Sequence, residues 1–258
     1  MEIKDLTVSY RKNPYIHQLN GMINNHKFTA IIGKNGSGKS TLLRALAKLH
    51  DEQTGQLIVD GRDLFELKQK DFAKQLTLLP QAPQTKQEIT VYQLVSMGRY
   101  PHQTGRRLSK EDDEKILASL QAVNMLAFKD ESLSSLSGGQ RQRVWIALAL
   151  AQETPYLLLD EPTTYLDLEG QLEILTLLKR LHQQTQKTIV MVHHDVNQVA
   201  RFCDDVMVMK DGQLIQAGTV QEVMTSERLS DIYHLKMTVA FDEHYQCPQV
   251  TYYDLLEE

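Results

Sequence analysis

Short, mostly apolar runs alternate along this chain with longer stretches in which apolar positions recur every third or fourth residue. Phe28–Ile32, Leu76–Leu79, Tyr156–Asp160, Thr188–Val192 and residues 206–209 are four or five residues long, the length of strands rather than helices. Because they lack polar alternation, they predict strands covered on both faces, and so a largely parallel sheet flanked by helices. Residues 168–182 carry a helical period. So does most of 90–152, where Ser109 and Asp112 form a capping-box start and Ile116, Leu117, Leu120 and Val123 share one helical face. That block interrupts the strand–helix alternation and reads as an inserted lobe. Ile3, Leu6, Val8 and Tyr10 predict an opening strand, and 56–59 another that ends at the Asp60-Gly61 turn. Beyond about residue 239 no period is visible, and the pattern commits to no element there.

Composition narrows the picture. At 258 residues the chain can bury a full core, as one α/β domain or as a domain with an inserted lobe. A formal net charge of −5 argues against a surface built for nucleic acid, so none is expected as a partner. The apolar stretch at residues 145–151 is far too short to cross a bilayer. Met1-Glu2-Ile3-Lys4-Asp5 lacks the basic-then-apolar layout of a signal peptide. With only Cys203 and Cys247, 44 residues apart, the chain has no paired-cysteine motif, which predicts reduced thiols in a cytosolic protein. Any membrane role then comes through a partner.

Gly33-Lys34-Asn35-Gly36-Ser37-Gly38-Lys39-Ser40-Thr41 fits the phosphate-loop pattern G-x-x-x-x-G-K-[ST], and it stands between an apolar strand and a helical segment as that loop requires. Its glycines let successive amides turn inward on a polyphosphate at a helix start. Lys39 can reach the β- and γ-phosphates, and the Ser40 hydroxyl can ligate Mg2+. The motif predicts binding of a nucleoside triphosphate. The strand 156–160 ends in two carboxylates. Asp160 suits the shell of a nucleotide-bound Mg2+, directly or through water, and Glu161 can accept the proton of the attacking water. Leu136-Ser137-Gly138-Gly139-Gln140 opens a further helix with a hydroxyl and two glycines but no lysine. Alone it is a partial phosphate site, which two chains packed head to tail would complete. A plain N-cap at Ser137 explains it equally well at this point.

Together, Gly33 to Thr41, Gln81, the LSGGQ string at 136–140, Asp160-Glu161, Leu166-Asp167 and His194-Asp195 follow the order and approximate spacing of an ATP-binding cassette ATPase. The chain resembles that family from Tyr10 to about Thr219, and LSGGQ is its most diagnostic string. The resemblance implies an α/β P-loop NTPase (RecA-like) core with an N-terminal antiparallel β subdomain, comprising 1–84 and 153–240. It also implies a helical signature subdomain at 85–152 and leaves 241–258 as a tail. Tyr10 resembles the aromatic that stacks on adenine, although a strand tyrosine can equally be core. Gln81 resembles the glutamine that senses Mg2+ and the attacking water, in a loop that contacts the membrane partner. Ser137, Gly138 and Gly139, with Gln140 beside them, resemble the groups that bind the γ-phosphate held by the opposite subunit, and Asp167 the aspartate that links the two sites. His193 and His194 must point to opposite faces of an extended segment, and the family pattern selects His194, directly before Asp195, as the γ-phosphate switch.

Three segments resemble one branch of that family, the ATPases of ferric-siderophore, haem and vitamin B12 importers. They are Met97-Gly98-Arg99-Tyr100-Pro101-His102, Thr163-Thr164-Tyr165-Leu166-Asp167 and His194-Asp195-Val196-Asn197-Gln198. The branch implies ATP and Mg2+ as cofactors and a homodimer beneath separate permease chains at the cytoplasmic face of the membrane, with an extracytoplasmic binding protein as an indirect partner. A soluble cassette acting in iron–sulfur assembly is the alternative of compatible length.

Overall fold

The computed structural model describes residues 1–10, 13–81, 88–105 and 107–256, with side chains at all of these except 10, 13 and 14. In chain order the first elements are β1 (Glu2–Tyr10), β2 (Asn13–Met22), β3 (Phe28–Ile32), α1 (Lys39–Leu46), β4 (Gln53–Val59), β5 (Arg62–Asp63), α2 (Gln69–Phe72) and β6 (Leu76–Leu79). Next come α3 (Val91–Ser96), α4 (Lys110–Ala122), α5 (Gly138–Ala151), β7 (Tyr156–Asp160), α6 (Leu168–Thr185), β8 (Thr188–Val192) and α7 (Val196–Phe202). The chain closes with β9 (Asp205–Lys210), β10 (Gln213–Thr219), α8 (Val220–Val223), α9 (Ser226–Tyr233), β11 (Leu235–Asp242) and β12 (Cys247–Leu255). Two compact units result, one made of Met1–Glu66 with Thr188–Glu258, the other of Leu67–Lys187.

In the first unit β2, β1, β4 and β5 form an antiparallel sheet in that order. A second group of strands lies mostly parallel: β3 runs between β8 and β9, and β10 folds back antiparallel on β9. All five residues of β3 and of β8 are buried, as their unbroken apolar sequence requires. Each enclosed Val, Ile or Phe contributes roughly 1.5–3 kcal/mol through removal from water. With parallel partners on both sides, the carboxyl end of β3 is fixed where a ligand-binding loop of an α/β sheet belongs. The segment beyond 239 is a hairpin of β11 and β12. It rests on α7, where the Asn197 side chain pairs both ways with the Val250 backbone: its Nδ2 donates to the carbonyl at 3.1 Å, and its Oδ1 accepts from the amide at 2.7 Å. Cys203 and Cys247 are both buried, and no disulfide joins them.

In the second unit β6 and β7 pair in parallel, Leu76 opposite Tyr156 through Leu79 opposite Leu159. Helix α5 packs against α3, α4, α6 and β6. Ser109 caps α4 through a reciprocal box with Asp112. The 97–102 segment is part of this packing. Gly98 is required because a Cβ there would stand 2.4 Å from the Leu148 carbonyl of α5. Arg99 is buried: its Nε donates to Asp112 at 2.9 Å, and its Nη1 donates to Glu153 and to the Ala151 carbonyl, both at 2.7 Å. His102 Nε2 lies 2.8 Å from the Gln152 carbonyl. Met97 and Tyr100 stay exposed.

Candidate functional site

In the first unit the phosphate loop leaves β3 and enters α1. Gly33 lies at φ 142°, and a Cβ there would fall 2.1 Å from the Met209 carbonyl, so only glycine passes between the strands. Lys34, Asn35 and Gly36 form an exposed tip, Ser37, Gly38 and Lys39 are buried, and Ser40 and Thr41 are half-buried in the first turn of α1. The Lys39 ammonium is drawn inside the loop, donating to the carbonyls of Gly33 and Lys34 at 2.9 Å each. The Ser37 hydroxyl is buried and has no hydrogen-bond partner among the described residues. A buried ammonium, an orphaned hydroxyl and the amides of a helix start make an anion cradle.

Two aromatic residues support this loop that sequence reasoning passed over. The Tyr15 hydroxyl donates to the Gly36 carbonyl at 2.7 Å. Tyr233, at the end of α9, is hydrogen-bonded to the Gly33 backbone, and burial pushes its pKa up to about 12, so it stays neutral. Neither carries a sequence signal beyond being a tyrosine, since both reach the loop through the fold. Tyr10 closes β1, and its side chain lies outside the described residues. His194 is exposed after β8, whereas His193 is buried with Nε2 2.7 Å from Gln198 Oε1. The divergence of adjacent histidines thus appears as expected. Asp195 caps α7, accepting from the amides of Asn197 and Gln198.

In the second unit Asp160 ends β7 buried, and Glu161 follows half-buried with φ at 49°, in the left-handed region that non-glycine residues rarely enter. Gln81, just after β6, donates from Nε2 to Glu161 Oε2 at 2.5 Å, so the parallel pairing of β6 with β7 brings these two site residues together. Thr164 Oγ1 donates to the same oxygen at 3.0 Å. Asp167 caps α6, accepting from the Gly170 amide at 2.9 Å.

Ser137 caps α5: its hydroxyl accepts from the Gln140 amide at 3.3 Å, while Gln140 Oε1 accepts from the Ser137 amide at 2.9 Å. The plain-cap reading therefore describes Ser137 within its own chain. It does not account for the glycines. A Cβ at Gly139 would meet nothing within 4 Å, and one at Gly138 only Leu166 at 3.6 Å, an ordinary contact. No packing among the described residues demands glycine at either position. Among the described residues no three His, Cys, Asp or Glu side chains gather into a metal-binding group. No helix of the described residues is long and apolar enough to cross a membrane.

A family model described as ABC transporter matches residues 16–164. The chain is 42% identical over 258 residues to the iron(3+)-hydroxamate import ATP-binding protein FhuC of Bacillus subtilis (strain 168), covering 100% of this chain and 96% of that one. Among solved structures, a metal-chelate type ABC transporter in an inward-facing conformation matches with a TM-score of 0.83 and 29% identity, covering 100% of this chain and 97% of that chain. The ATP-binding cassette MJ0796, in a dimeric post-hydrolysis state bound to ADP and Pi, matches with a TM-score of 0.70 and 29% identity, over 84% of this chain and 97% of that one.

Proposed function

From the premise that this chain belongs to the ABC transporter family and is an ATPase of that family, we propose that it is the ATP-hydrolysing subunit of an importer for an iron chelate. The observation that supports the substrate class is similarity to an iron(3+)-hydroxamate import subunit along the whole chain rather than across the cassette alone. In this reading two copies work as a homodimer on permease chains at the cytoplasmic face of the membrane, and a binding protein outside delivers the chelate.

The phosphate loop supplies the tight anion site, with Lys39 on the β- and γ-phosphates. In this reading the Ser40 hydroxyl, the Asp160 carboxylate and the Gln81 amide would be the side chains that hold Mg2+. That donor set is usual for an ion that keeps much of its hydration and needs no dedicated cage. Bound there, it would neutralise charge on the phosphates. Glu161 accepts the proton of the water whose oxygen attacks the γ-phosphorus as the bond to ADP breaks, and His194 attends the γ-phosphate. Catalysis is then mainly positioning and charge neutralisation. The glycines at 138 and 139, unexplained by packing among the described residues, suit close approach of a nucleotide held by the other copy. ATP then acts as the ligand whose preference for the closed dimer drives the transport cycle.

Reconstitution with the candidate permease tests the reading. Ferric-siderophore-loaded binding protein should stimulate ATP hydrolysis in vesicles, while Glu161→Gln retains ATP binding, loses turnover and accumulates as a closed dimer. Equal stimulation by unloaded binding protein, or wild-type turnover in Glu161→Gln, refutes it.

A further inference from the structure

The loop after β7 holds Glu161 more tightly than a solvated strand end would. Its backbone sits at φ 49°, a conformation that is unfavourable for a residue with a side chain and persists only where surrounding contacts impose it. Two contacts come from one residue. The Thr164 amide donates to the Glu161 carbonyl at 3.2 Å, and the Thr164 hydroxyl donates to Glu161 Oε2 at 3.0 Å. Thr164 is half-buried, and Pro162 and Thr163 between the two residues are buried, so the loop has little room to relax. Gln81 Nε2 reaches the same oxygen from the end of β6.

The geometry points to Thr164 as a positioning residue for Glu161. Its hydroxyl pins one carboxylate oxygen, and this fixes the plane and rotamer of the group that receives the proton. The inference rests on the reading of Glu161 as the base. The two donors on Oε2 are not equivalent. Gln81 follows a different strand and its side chain is exposed, so it can exchange this oxygen for another partner during turnover. Thr164 belongs to the same short loop and is tied to Glu161 through the backbone as well, so it stays. A hydroxyl is needed, because a methyl group in its place fills the space but donates nothing. A carboxylate released from such a bond samples other rotamers, and misplacement of a reacting group costs rate without weakening the binding of substrate.

Thr164→Val, nearly isosteric, and Thr164→Ser, which restores the hydroxyl, are compared with wild type in steady-state ATP hydrolysis and in equilibrium binding of a non-hydrolysable ATP analogue. Val should lower kcat about tenfold, the scale of one lost hydrogen bond to a charged group, and leave KM and analogue affinity within about twofold, while Ser recovers most of the rate. In a Glu161→Gln background Thr164→Val should change the residual rate by less than about twofold, because the two residues act as one unit. A Val variant with wild-type kcat beside an inactive Glu161→Gln overturns the role of Thr164 alone. Additive losses in the double variant, or failure of Ser to rescue, overturn it as well. A Glu161→Gln enzyme with normal turnover removes the base itself, and Thr164's part in positioning it.

Discussion

Replacing Arg99 by methionine isolates what the buried ion cluster of the second unit contributes. The substitution keeps length and apolar volume but deletes the donors to Asp112, Glu153 and the Ala151 carbonyl. Breaking a buried pair by removing one partner costs about 3–5 kcal/mol. Here the lower end applies. Asp112 keeps the Ser109 amide at 3.0 Å and hydroxyl at 2.8 Å, and Glu153 keeps Lys115 at 2.5 Å. A loss of about 3 kcal/mol at pH 7 is expected.

The pH dependence gives a second signature. Hydrogen bonding from the Ser109 backbone first, then from Arg99 and the Ser109 hydroxyl, holds the Asp112 carboxyl down at about 2 against its ordinary 3.8. A depressed acid stabilises the fold fully above its unfolded pKa, and that stabilisation is lost as pH falls through the folded value. Without Arg99 the Asp112 pKa rises, so the variant loses less on acidification and its deficit shrinks between pH 4 and 2. Urea unfolding followed by fluorescence of Trp145, the single tryptophan and a residue of α5, reports on this unit directly. A deficit below about 1 kcal/mol at pH 7, or one that stays constant down to pH 2.5, would refute the argument.

Other perturbations are read with separate instruments. Lys39→Ala should weaken ATP binding about 100-fold by titration calorimetry, the worth of charge-assisted bonds to phosphate; an unchanged dissociation constant removes the phosphate-loop assignment. Tyr15→Phe deletes the bond to Gly36, so amides 34–37 should exchange hydrogen faster, and equal rates would mean that the tyrosine does not brace the loop. Gly98→Ala forces a Cβ toward the Leu148 carbonyl at 2.4 Å and should destabilise by about 1–3 kcal/mol, a melting point lowered by roughly 2–4 °C per kcal/mol. A melting point unchanged by the added methyl would show that α5 yields freely.

Strands buried on both faces were readable because nothing competes with their pattern: β3, β6, β7 and β8 have the bounds their apolar runs predict. The Ser109 capping box was equally visible, being local chemistry. Strand β2 was not. Ile16 and Leu19 face the core among exposed His17, Gln18 and Asn20, and the register shifts of its pairing with β1 break the two-residue period. The closing hairpin hid for a related reason, because β12 is exposed from Thr251 onward and therefore carries no apolar alternation there. Within the candidate site, motifs gave residue types and spacing. They could not give Tyr15, Tyr233 or Thr164, whose positions depend on tertiary approach or on a left-handed backbone at Glu161. Arg99 shows the converse. A residue that stood out as a branch marker belongs to the interior of its own unit.

The amide of Asn197 plugs into the main chain at Val250, in direct hydrogen-bond contact yet 53 positions apart in sequence. Helix α7, which begins two residues past His194, is therefore moored from its solvent side by the final ribbon. Trimming the chain ahead of position 250 would cut that mooring and slacken the histidine's footing, although every recognisable nucleotide motif would survive intact.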